Sequence, residues 1–263
     1  LDSFDYLCKL DVDLVLPPRY FELLMERMDD TPRLGTTSGK PWFSNPTTGN
    51  FEPELLGDEM SAGMTKFYRV SCFKEIGGFV REVMWDGIDC HRVRMLGWIA
   101  ESVDIEPLRF THLRIQGSSH NGIWTGRVRA GFGQYFMGTS PIYYLAVAAY
   151  RVPKHPPVIG SAAMLWGYFK SWWAGVPQYG DSEFRNFLRS YQSACLRRGK
   201  RAATARFEAE REKLFLPYYS TKLRGSGLGL AIVKHLCQAV GAKVSVKSEP
   251  GHGSEFRVLF SRP

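Results

Sequence analysis

The sequence predicts an α/β protein, and three observations carry that reading. Short apolar runs alternate with Gly, Pro and Asp turns through residues 1–120, as in a mixed sheet flanked by helices. From Gln134 to Val176 aromatic and small residues crowd together between Pro141, Pro153, Pro156 and Pro157, which predicts a helical, amphipathic middle. The last fifty residues read as one helix followed by a β-hairpin.

Taken in order, the first element is the apolar run Tyr6–Leu16, which stops at Pro17-Pro18 and carries Asp11 and Asp13. A short buried strand there delivers two carboxylates to a sheet edge, where they can offer oxygen ligands to a divalent cation. Next, Gly63 turns the chain into a basic strand with Lys66 and Arg69. Asp86 follows at the start of a predicted helix whose apolar face carries Val93 and Leu96. The helix dipole and free amides keep a carboxylate ionised there, a sensible setting for a base. His112, between Thr111 and Leu113, is the fourth candidate.

In the middle, Val158–Phe169 is too short and too broken by Lys170 to predict a spanning helix. It suits either an interfacial segment with an aromatic belt or a buried helix pair. One polar helix is predicted from Asp181 or Ser182 to about Glu212, with Phe184, Phe187, Leu188 and Tyr191 on its inner face. Leu228–Val240 predicts an amphipathic helix that Gly241 ends, followed by strands over Lys243–Ser248 and Glu255–Phe260.

The bulk numbers exclude several classes. With 44% hydrophobic and 23% charged residues the chain is an ordinary folded protein. Five scattered cysteines without CxxC spacing argue against a disulfide framework or a zinc site and favour a reducing compartment. The first residues show no n-region and h-region, so no signal peptide is expected among them. The net charge of +8 thickens around Arg197-Arg198-Gly199-Lys200-Arg201. No aromatic stacking signature accompanies it, so a solvated helix face or a membrane surface is expected rather than nucleic acid.

In the order Asp11-Val12-Asp13, Gly63, Asp86 and His112, residues 1 to about 210 resemble an N-terminally truncated family 2 glycosyltransferase of the GT-A fold. The resemblance implies a partial GT-A-like mixed sheet. It implies that Asp11, Asp13 and His112 hold Mg²⁺ or Mn²⁺, that Gly63, Lys66 and Arg69 meet the substrate, and that Asp86 is the acceptor base. The glutamate that precedes the base in that family is Trp85 here. The implied partners are a nucleotide-sugar donor and a glycan or lipid acceptor. Gly133–Pro141 resembles a membrane-associated branch, so the chain is expected in the cytoplasm or at the cytoplasmic face of a membrane. The implied domains are 1–130 for the transferase part and 131–212 for the amphipathic helices.

Leu214–Lys222 followed by Gly225-Ser226-Gly227-Leu228-Gly229 resembles the lid end and second glycine box of a histidine-kinase-type (GHKL) ATPase, over 213–263. The resemblance implies that Gly225, Gly227 and Gly229 approach ATP phosphates at a helix N-terminus. No Asn-bearing helix or Asp-x-Gly-x-Gly turn precedes it, so ATP is not expected as a cofactor and kinase activity is not expected. A histidine-kinase ATP-binding protein, and an inactive remnant or interaction module, stand as alternatives to the transferase.

Overall fold

A computed structural model of the chain describes residues 4–44, 49–113, 122–153, 157–213, 229–249 and 253–260. Its first part runs β1 (Tyr6–Leu10), β2 (Leu14–Val15), α1 (Tyr20–Asp30), β3 (Leu34–Gly39), β4 (Pro41–Ser44) and β5 (Phe51–Pro53). It continues with β6 (Thr65–Arg69), α2 (Val70–Glu75), α3 (Trp85–Met95), β7 (Ile99–Val103) and β8 (Phe110–His112). The protein is of the mixed α/β class, as its sequence predicts.

Two four-stranded sheets share this part, in the orders β1-β6-β3-β7 and β2-β8-β4-β5. In each sheet one pair is parallel, β3 with β7 and β4 with β8, and the rest are antiparallel. The chain crosses from the first sheet to the second three times. One crossing is Asp11–Asp13, between β1 and β2, another is Lys40, between β3 and β4, and the last lies between β7 and β8. The predicted single strand over Tyr6–Leu16 is therefore two strands in different sheets, and the acidic pair lies at the seam.

Strand periodicity sorts the core. Phe67 points to the face covered by α1, where Tyr20, Leu24 and Met28 pack with Leu34, Leu108 and Phe110. Tyr68, one residue on, points to the opposite face, with Cys72, Ile76, Cys90, Val93 and Trp98. The central strand β3 is buried along its whole length yet carries Thr36, Thr37 and Ser38. Thr36 and Ser38 are satisfied inside: the Thr36 hydroxyl lies 3.0 Å from that of Ser61, and Ser38 accepts from the Ala62 amide at 2.7 Å. Gly39 has no room for a side chain, since a Cβ there would lie 1.7 Å from the Leu108 carbonyl oxygen.

The middle is helical: α4 (Ile123–Met137), α5 (Pro141–Arg151), α6 (Ile159–Trp173), α7 (Ser182–Arg198) and α8 (Lys200–Lys213). The helices α4 and α6 cross with backbones nearly touching. A Cβ on Gly131 would lie 2.1 Å from the Met164 carbonyl oxygen, and one on Gly167 2.1 Å from that of Val128. Small residues at such a crossing let helices approach far closer than leucines would. Asp181 caps α7 by accepting from the Phe184 amide at 2.9 Å. The predicted single helix to Glu212 is broken in two at Gly199, whose φ of +80° suits glycine and not a helix interior. Phe184 and Leu188 of α7 pack with Ile88 and Met95 of α3, joining the middle to the first part.

The tail is α9 (Gly229–Ala239) followed by β9 (Ala242–Glu249) and β10 (Gly253–Phe260), which pair antiparallel from Gly253 opposite Glu249 to Phe260 opposite Ala242. Gly241, at φ +67°, turns the chain between helix and hairpin, as the sequence predicts.

Candidate functional site

At the seam, Asp11 continues the pairing of β1 by donating its amide to the Met64 carbonyl at 2.8 Å. Its carboxylate forms an ion pair with Lys9. The residue before Met64 is Gly63, and a Cβ there would sit 2.9 Å from Oδ2 of Asp86. The glycine turn is thus what admits the Asp86 carboxylate against the strand. Asp86 lies in the first turn of α3 and accepts from the Gly87 amide through Oδ1 at 2.9 Å. Met84, just ahead of the helix, holds φ +72°, a left-handed conformation that costs a non-glycine residue about 1–3 kcal/mol. Strain of that kind is stored where the surrounding packing dictates a position.

Behind Asp86 lies a buried charge cluster. Lys66 is fully buried, donates to the Asp86 carbonyl oxygen at 2.6 Å and pairs with Asp89 at 2.9 Å. The Tyr68 hydroxyl donates to the same Asp89 carboxylate. Burial opposes the charge on Lys66, but Asp89 first, then Cys90 and Asp86, hold its pKa above the usual lysine range. Burial pushes the Asp89 carboxyl up, against the pull of Lys66 and Tyr68. Asp89 carries no motif signal; its place one helical turn from Asp86 is the only hint in the sequence.

Lys66 therefore supports Asp86 from beneath, and Arg69 goes elsewhere. Three residues apart on a strand, the two side chains point to opposite faces. Arg69 donates to the Met28 carbonyl at 2.6 Å and to that of Leu34 at 3.4 Å, and its guanidinium lies over Tyr6. It ties the end of α1 to the sheet.

On the other side of the seam, β2 pairs with β8 so that Leu14 lies opposite His112, and the Leu113 amide donates to the Asp13 carbonyl at 3.0 Å. This brings His112 Nε2 to 3.9 Å from the Asp13 carboxylate. Nδ1 of His112 meets the carboxylate of Glu54 at 2.6 Å. Burial disfavours the imidazolium, but the hydrogen bond and charge of Glu54, helped by Asp13 and Asp11, raise the His112 pKa overall. Glu54 is buried and has no motif around it; only the fold reveals it.

Of the three expected ligands the structure brings Asp13 and His112 together, while Asp11 turns toward Lys9. Among the described residues, no group of three or more His, Cys, Asp or Glu is arranged to hold a metal ion. Asp13 offers an oxygen and His112 a nitrogen, a mixed pair that suits Mn²⁺ better than the harder Mg²⁺ and that would need further ligands from outside the chain.

Of the three tail glycines, Gly225 and Gly227 lie outside the described residues. Gly229 opens α9, and a Cβ there would meet nothing within 4 Å.

The helical middle presents a broad apolar surface. Trp124, Ile142, Tyr150, Ile159, Trp166 and Trp173 are half or more exposed, Trp173 to 75%. Between Glu106 and Asp181 the sequence holds no acidic residue, while Arg129 and Lys170 are exposed. Among the described residues no helix is long and apolar enough to cross a membrane.

Comparison with known proteins separates the tail from the rest. Residues 204–263 match the family of histidine kinase-, DNA gyrase B- and HSP90-like ATPases. The tail is thus similar to a histidine-kinase-type ATPase domain, from inside α8 onward.

Particular relatives are the sensor histidine kinase ZraS of Salmonella typhimurium, 43% identical over 47 residues, and the sensor protein kinase PilS of Pseudomonas aeruginosa, 34% identical over 50 residues. Those stretches are 18% and 19% of this chain and span only about a tenth of each kinase, 10% and 9%. Among solved structures, a mannosyltransferase of Pyrobaculum calidifontis in complex with GDP-Man and Mn²⁺ aligns at TM-score 0.36 and 14% identity, over 89% of this chain and 63% of that one. A likeness that distant carries no argument about function.

Proposed function

We propose that the first part of the chain is a family 2, GT-A-type glycosyltransferase site that works by inversion, transferring a sugar from a nucleotide diphosphate to an acceptor hydroxyl. The observation that carries this reading is the fit of Gly63 against Asp86, with Met64 tied to Asp11. One backbone segment thereby links the acidic seam to a carboxylate at a helix N-terminus. In the proposed reaction Asp86 takes the proton of the acceptor hydroxyl as it attacks the anomeric carbon. Gly63 keeps the path to Asp86 open, and Lys66, locked on Asp89, holds the start of α3 in place. A divalent cation on Asp13 and His112, when bound, offsets charge developing on the leaving diphosphate.

The acceptor is proposed to reach this site from an anionic membrane surface. The exposed tryptophans and the acid-free stretch of the helical middle support that placement, since apolar anchors and basic side chains together favour such an interface.

The test is turnover of nucleotide-diphosphate sugars with Mn²⁺ by the whole chain and by Asp86→Asn. Loss of transfer in the variant with donor binding retained supports the assignment, and unchanged turnover removes it. A second reading rests on the family match of residues 204–263: a tail that binds ATP. Titration of the chain with ATP and Mg²⁺ tests it, and absence of binding at millimolar ATP removes it.

A further inference from the structure

Glu54 stands outside every motif in the sequence, yet it is the group that faces His112. Its side chain is 3% exposed and that of His112 9%. Burying a carboxylate is costly unless something inside repays its lost hydration. Here Oε1 takes Nδ1 of His112 at 2.6 Å, and Oε2 is buried with no hydrogen-bond partner among the described residues. Lys40, close along the chain, sends its ammonium to the Leu56 carbonyl and to Asp58, each at 2.8 Å.

Backbone hydrogen bonds fix both partners. The Glu54 amide donates to the Pro41 carbonyl and the Leu56 amide to the Glu54 carbonyl, each at 2.9 Å. His112 is held on β8 opposite Leu14, and the neighbouring Leu113 amide bonds the Asp13 carbonyl. Neither side chain can drift far from the other.

We propose that Glu54 is a positioning residue: by accepting from Nδ1–H of His112 it fixes the imidazole so that the Nε2 lone pair and the Asp13 carboxylate face one divalent cation. This rests on the reading of Asp13 and His112 as the cation pair given above. A carboxylate behind a ligating imidazole sets its tautomer and ring orientation and raises its basicity, and removing it typically weakens metal binding about 10–100-fold. A purely structural contact would leave cation affinity and tautomer unchanged when replaced by an isostere.

The experiment uses the whole chain, Mn²⁺ alone followed by electron paramagnetic resonance, and ¹⁵N shifts of the His112 ring in the metal-free protein near pH 8. In the wild type the ring proton is expected on Nδ1. Glu54→Gln should weaken Mn²⁺ binding about 10–100-fold and mix the tautomers, and Glu54→Asp should restore part of both. A wild-type proton on Nε2 overturns the proposal without any variant, so a misfolded Glu54→Gln does not shield it. Equal Mn²⁺ affinity in wild type and Glu54→Gln, with loss in Asp13→Asn, overturns the role of Glu54 alone. No Mn²⁺ binding by the wild type overturns the cation pair and the role of Glu54 with it.

Discussion

Lys9 and Lys66 lie directly opposite one another on the paired strands β1 and β6, and the indole of Trp85 is within reach of both ammonium groups, at 5.3 Å and 5.4 Å from its centroid. Like charges in that register repel. Each is compensated separately, Lys9 by Asp11 and Lys66 by Asp89, and the aromatic face attracts both. Trp85 stands where the resembled family has glutamate. In this chain the position bridges the seam and the buried cluster under Asp86.

Removing one partner of the buried pair should be costly. Asp89→Asn leaves the Lys66 ammonium without its counter-charge, and a loss of about 3–5 kcal/mol is expected in urea unfolding. Lys66→Met with Asp89→Leu should lose distinctly less than Asp89→Asn alone, because no charge is then stranded. A double variant as unstable as the single one counts against a paired cluster.

Gly63→Ala brings a Cβ to within 2.9 Å of the Asp86 carboxylate, which must move. Under the proposed reaction, kcat should fall about a hundredfold with little change in donor KM, as displaced catalytic groups typically show. A variant with wild-type kcat would separate Asp86 from the chemistry.

The crossing of α4 and α6 makes a cleaner steric prediction. Gly167→Ala drives a methyl into the Val128 carbonyl and should cost about 1–3 kcal/mol or more. Gly180→Ala, where nothing lies within 4 Å and φ is not positive, should be close to neutral. Thermal unfolding of the two variants side by side checks the difference.

His91 supplies the pH dependence. Burial first, then the charges of Arg94, Lys200 and Lys66, hold its pKa well below the ordinary imidazole value, and its ring lies 5.3 Å from that of Tyr191. The folded state therefore keeps it neutral while the unfolded chain takes up a proton below about pH 6.5. Its contribution is complete above that pH and is lost as pH falls toward the depressed folded value. His91→Phe should remove up to about 1.4 kcal/mol per pH unit of the acid-side slope. Urea midpoints between pH 7 and 4.5 measure it; identical slopes in variant and wild type would refute a buried neutral imidazole.

What the sequence made legible follows local physics. Asp181 as a cap, Gly241 as a helix stop, the terminal hairpin and the helix beginning at Asp86 all depend on neighbours in the chain. What it concealed depends on long-range pairing. Glu54 and His112 are 58 residues apart and meet only because β4 lies between β5 and β8. Lys66 and Arg69 looked alike as basic residues of one strand, but the pleat sends them to opposite faces. The split of Tyr6–Leu16 between two sheets leaves no trace in an apolar run, since both halves are strands.

Arg33 and Arg94 give α8 a meaning that its polar sequence does not advertise. Arg33 donates to the Glu208 carbonyl oxygen at 3.1 Å, and the buried Arg94 guanidinium lies 3.5 Å from the Glu208 carboxylate. Glu208 falls inside the stretch that matches the kinase-type ATPases, yet it neutralises a charge belonging to α3. A cut made where the resemblance begins, at residue 204, would separate that carboxylate from its arginine. The place where the resemblance begins and the place where packing divides the folded molecule are thus different, since Glu208 of α8 is held to the helix that carries Asp86.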